Sequence, residues 1–178
     1  GVVGQPNTQP NRFATPVAMT VRQSDNTIFV WNNSACLVNP GDPCKDAIIQ
    51  KLELVTVDPT TGEATAVSPQ PQVSLQAIAY DPVSDTLYGV GGPLYIIDTN
   101  TGVVSTGATI KDSGGNSVRF SGAAFDTCGT LFGLELVNTT AGVARLFTID
   151  TTSGSATLVG GIGNPGLTGS IAFAPDGT

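Results

Sequence analysis

The chain has 178 residues, of which 40% are hydrophobic and only 12% charged, and its formal net charge is −7. Its seven Lys and Arg form no basic stripe, which argues against nucleic acid or an anionic membrane surface as a partner. No run approaches the roughly 20 apolar residues of a membrane span, and the absence of His removes imidazole bases, nucleophile triads and most zinc sites.

Residues 1–16 are rich in Pro and Asn, and Pro6, Pro10 and Pro16 keep this stretch extended and forbid a helix. It reads either as a disordered leader or as a tail whose Gly1, Val2, Val3 and Gly4 dock as a strand on a neighbouring subunit. A short apolar strand is predicted over Val17 to Val21, and a second over Thr27 to Val30. An insertion from Asn32 to Gln50 follows, with Trp31 at its base. Loops of this length on a rigid scaffold tend to carry recognition, so it reads as a contact surface for a partner or glycan, or as a cap on the end of the array. Cys36 and Cys44 are spaced closely enough to close a disulfide, the alternative being that all the cysteines are free thiols. Asn32 and Asn138 open Asn-x-Ser/Thr sequons, which together with the charge-poor surface favour an oxidising, extracellular setting for a glycoprotein.

Beyond the insertion the chain repeats itself, and such self-similarity decides the fold. Ala77-Ile78-Ala79-Tyr80-Asp81-Pro82 is followed by Thr86-Leu87-Tyr88-Gly89-Val90. Gly122-Ala123-Ala124-Phe125-Asp126-Thr127 is followed by Thr130-Leu131-Phe132-Gly133-Leu134. Ser170-Ile171-Ala172-Phe173-Ala174-Pro175 begins another copy, and Val17 to Val30 is a diverged one. A second motif interleaves: Asp58-Pro59-Thr60-Thr61-Gly62, Asp98-Thr99-Asn100-Thr101-Gly102 and Asp150-Thr151-Thr152-Ser153-Gly154. Each follows an apolar run and precedes a short strand. The Asp is placed to accept backbone N–H groups in an Asx turn, and the Gly to supply a positive φ.

Tyr80, Phe125 and Phe173 recur at intervals of 45 and 48 residues, a period that fits a propeller blade of four antiparallel strands. The pattern Leu-Tyr-x-Ile-Asp-x-x-Thr-Gly resembles the repeats of bacterial secreted β-propeller proteins, over residues 17–178. That resemblance implies blade architecture and carries no site residue with it, because propellers host enzymes, lectins and scaffolds alike. The expected fold is therefore all-β, with an extended segment over 1–16 and blades at about 17–68, 75–110 and 121–162, plus a lone inner strand at 169–174. Three blades do not close a ring, which takes about 4–8. Completion is expected from copies of the same chain, by strand or blade exchange that closes a ring or runs head-to-tail into a filament, or from further chain of a longer propeller.

Chemistry is sparse. Asp81 and Asp126 recur after the first strand of each unit, and Asp58, Asp98 and Asp150 after the third. Recurrence in every unit points to turn formation, whereas a glycosidase pair would break the symmetry. Glu53, Glu63, Asp112 and Glu135 are unit-specific but scattered. Cys128 has no nearby basic group to activate it. No cofactor is expected. Calcium is the one plausible ion, with only Asp42 and Asp46 concentrated in a loop. The sequence thus favours a non-enzymatic extracellular structural or assembly module. A glycan- or ligand-binding propeller domain comes next, and a polysaccharide-active enzyme last.

Overall fold

The computed structural model describes residues 16–35, 50–67, 73–135, 143–165 and 169–174. Strands β1 (Pro16–Arg22), β2 (Thr27–Ala35), β3 (Gln50–Val57) and β4 (Ala64–Ala66) form one antiparallel sheet in sequential order. Strands β5 (Ala77–Asp81), β6 (Thr86–Val90), β7 (Pro93–Ile97) and β8 (Val104–Thr109) form a second sheet of the same order. The third contains β10 (Phe120–Phe125), β11 (Leu131–Glu135), β12 (Val143–Ile149) and β13 (Ser155–Pro165). Its outer edge also takes the two-residue β9 (Lys111–Asp112), which pairs parallel with Ser155 and Ala156. No helix occurs among the described residues. The architecture is all-β, with propeller-type four-stranded blades and an unclosed ring.

The turns have the predicted local chemistry. Asp58, Asp98 and Asp150 each accept two backbone N–H groups from the next residues but one and two, at 2.7–3.0 Å. Gly62, Gly102 and Gly154 take φ of 70°, 66° and 75°, where a Cβ would strain the backbone. In the turns between the first two strands of the second and third sheets, Asp81 and Asp126 accept the amide two residues on; in the first sheet Arg22 stands at that position, and Asp25, three residues later, accepts from Thr27. Asn26, Asp85 and Gly129 occupy the left-handed position before the next strand.

The sheets stack face to face like slices around an axis. Phe29, Trp31 and Leu54 of the first sheet pack on Ile78, Tyr80, Leu87 and Ile97 of the second. The opposite face of the second sheet, with Ala77, Ala79, Val90 and Leu94, packs on Ala123, Phe125, Leu131, Phe147 and Ile149 of the third. The innermost strands β1, β5 and β10 are neighbours, and the Tyr80 amide donates to Thr20 Oγ1 at 3.2 Å. Strand β5 is buried along its whole length, as a strand beside a crowded axis must be.

Two expectations change. Residues 169–174 lie against β10 but carry no strand ladder, because a blade's inner strand pairs with its own second strand, and none follows within the described residues. Trp31, at the base of the insertion, is fully buried between the first two sheets. Asn32 is fully buried on β2, with Nδ2 donating to Glu53 Oε1 at 3.4 Å, so its amide is not open to a sugar in this fold. Cys36, Cys44, Asp42, Asp46, Asn138 and Gly1 to Gly4 lie outside the described residues, as does most of the insertion.

Candidate functional site

Successive sheets are joined by an aromatic contact that recurs three times. The aromatic residue of each second strand meets that of the next inner segment: Phe29 with Tyr80 at 6.2 Å, Tyr88 with Phe125 at 5.3 Å, and Phe132 with Phe173 at 5.2 Å between ring centres. Offset and tilted rings at such distances add to the burial of their area. The third contact places residues 169–174 where the inner strand of a fourth sheet belongs. The fit is close, since a Cβ on Gly122 would stand 2.9 Å from the Gly169 oxygen. The Gly169 amide donates to Ser121 Oγ at 3.4 Å.

Ladder register identifies the matching positions on β1. Thr20 pairs with Phe29 as Ala79 pairs with Tyr88 and Ala124 with Phe132. Val21 therefore corresponds to Tyr80, Phe125 and Phe173, and Met19 to Ile78 and Ala123. Ile78 is 2% exposed and Tyr80 7%, but Met19 is 65% exposed and Val21 41%. Val17, on the same face of β1, is exposed as well. Farther out on this sheet, Val30, Val55 and Ala64 form a small buried cluster of their own. Within the first sheet, the exposed large apolar side chains are those of the inner strand, Val17, Met19 and Val21.

The inner segments converge on a recess of about 210 Å³ bordered by Met19, Val21, Tyr80, Phe125 and Phe173. Its polar rim includes Gln23, Asp126 and Thr127. The acids around it are engaged in the backbone. Asp126 Oδ1 accepts the amides of Cys128 and Thr130 at 2.9 and 2.7 Å, and Asp81 accepts from the Val83 amide and the Ser84 hydroxyl.

Six further carboxylates are likewise committed. The backbone amides of Thr61 and Thr60 hold Asp58 below the usual carboxylate range, those of Thr101 and Asn100 do so for Asp98, and that of Ser153 leads for Asp150. Arg22, which also lies over the Phe29 ring, holds Asp25 far down. Asp112 is lowered first by the Asn116 amide, and Glu135 pairs with Arg145. Among the described residues no group of three or more Cys, Asp or Glu is placed to hold a metal ion. Cys128 is a free, exposed thiol in the β10–β11 turn. Sequence reasoning did not single out Val17, Met19 and Val21 as a surface. Their signal was the absence of an aromatic residue at position 21, where the other units have one.

No family model and no curated protein sequence matches the chain. Solved structures do. A chain of the nidogen–laminin complex aligns with a TM-score of 0.56 at 15% identity, over 89% of this chain and 52% of that one. A gluconolactonase from Xanthomonas campestris aligns at 0.52 and 17%, over 94% and 55%. The hydrazine synthase of Kuenenia stuttgartiensis aligns at 0.51 and 17%, over 97% and 43%. These define the class as a β-propeller fold. The chain spans about half the length of the structures it matches.

Proposed function

We propose that the chain is a non-enzymatic, extracellular structural module that assembles through the ends of its open array. Neighbouring copies cover what a closed ring would cover, head-to-tail in a ring or filament. The observation that carries this reading is the exposure of Met19 and Val21 where the equivalent residues of the next sheet are buried. Apolar positions left bare on an inner strand favour association. A non-catalytic role is supported by the absence of His and by carboxylates whose lone pairs serve their own turns. Sedimentation velocity over a range of concentrations tests it. The wild-type chain is expected to sediment as multiples of 18.1 kDa, and Met19→Lys as a folded monomer. A wild-type monomer at every concentration would refute the reading.

A second reading, a ligand- or glycan-binding domain within a longer propeller, is favoured by the axial recess and by the half-length match. It predicts retention on a glycan surface without polymer formation.

A further inference from the structure

The outer strands of the three sheets differ in how their free edges are protected. β4 is three residues long, too short to recruit another strand. β8 is longer, but its exposed side chains are small or polar: Ser105, Thr106 and Thr109. β13 runs for 11 residues without a charge, and β9 covers only Ser155 and Ala156. From Thr157 to Ile162 its outer edge has no strand beside it among the described residues. Leu158, Val159 and Ile162 are each about half exposed. A register shift against β12 between Leu146 and Phe147 leaves the consecutive Leu158 and Val159 both in solvent. Long, uncharged, apolar edges are what proteins normally blunt with short strands, Lys or Pro, because unpaired N–H and C=O groups template a further strand.

We propose that this edge accepts a strand donated by a second copy of the chain, namely Gly1-Val2-Val3-Gly4. The donor is uncharged and β-branched, matching the uncharged Thr157-Leu158-Val159-Gly160-Gly161-Ile162 acceptor. Pro6 ends its capacity to pair on the side towards β1. The residues before β1 span up to about 50 Å when extended, enough to cross to a neighbour. The inference rests on the assembly reading above. The copy that covers Val17, Met19 and Val21 brings its third sheet to that end, and with it the nearest β13 edge. Main-chain hydrogen bonds would supply affinity, and Val2 and Val3 against Leu158 and Val159 the register.

Hydrogen exchange of the full chain tests the inference. On raising the concentration, the amides of 157–162 are expected to slow about tenfold or more, and the Val2→Asp/Val3→Asp double variant is expected to lose this slowing. Exchange in β6 and β7 reports that the fold is intact. Fast exchange at 157–162 in the assembled chain would overturn the inference while leaving assembly standing. Protection that ignores concentration, which would mean the chain's own tail occupies the edge, or protection that survives in the double variant, would also overturn it. If the chain stays monomeric, the assembly reading fails. A synthetic decapeptide of residues 1–10 then decides: slowed exchange at 157–162 supports the strand acceptor, and unchanged exchange refutes it.

Discussion

At the scale of single residues, glycine positions report how tightly the sheets are stacked. A Cβ on Gly133 would stand 2.5 Å from a Phe120 ring carbon and 2.8 Å from Ile149 Cδ1, inside the core between the second and third sheets. A Cβ on Gly154 would collide with the Thr109 backbone carbonyl, on a residue that already needs positive φ. Overpacking of this kind costs about 1–3 kcal/mol, and the left-handed backbone adds about 1–2 kcal/mol at Gly154. Gly92, with nothing within 4 Å of its Cβ position, is the control. Denaturant melts are expected to show Gly154→Ala and Gly133→Ala clearly destabilised and Gly92→Ala unchanged within error. Equal midpoints for all three would contradict the close stacking. The turn carboxylates make a second residue-scale prediction. Asp58, Asp98 and Asp150 are held below the ordinary range by backbone amides in the folded chain, so folding favours their ionised forms. Their contribution is complete above the unfolded value of about 3.9 and is lost as pH falls through the lower folded values. Thermal melts should therefore be level from neutral pH to about 5 and fall below about 4, and Asp98→Asn should flatten that fall. A Tm independent of pH down to 2 would count against these turns.

At the scale of elements, the blade repeat was legible because its signals are local and recur. Asp-x-x-x-Gly turns, a small first strand and a Leu-aromatic-Gly second strand each have one physical reading, and together they locate the strands. Elements held by tertiary contact were not legible. Lys111–Asp112 is two polar residues with no strand pattern, and becomes β9 only because Gly154 brings Ser155 and Ala156 beside it: the Lys111 amide donates to the Gly154 oxygen at 3.0 Å. β13 extends past Gly160 and Gly161, which by composition look like a loop, because β12 offers partners as far as Val143. Asn32 continues β2 opposite Glu53 instead of opening a loop. Its burial is a fact about packing that no three-residue motif contains. Trp31 shows the same limit. Nothing in the sequence around it says that its neighbours are Leu54 and the second sheet.

At the scale of the whole molecule, the three sheets are a wedge of a ring whose two ends differ. At the trailing end Phe173 covers Phe132, so that side already holds the start of a further blade. At the leading end Val17, Met19 and Val21 have nothing equivalent over them among the described residues. A heterologous contact between unlike ends propagates unless its rotation closes, so a ring or a filament is expected, and no isologous dimer through these ends. The small number of charges fits this picture, since a chain with 12% charged residues offers little electrostatic resistance to association. Met19 is the only methionine and sits on the exposed inner strand, so peroxide oxidation to the sulfoxide reads this end of the molecule directly. The oxidation rate of Met19 in native material, compared with the dispersed chain, is the measurement to make. Covered ends predict oxidation at least about tenfold slower in the native particle, and equal, fast oxidation in both would show that nothing completes the array.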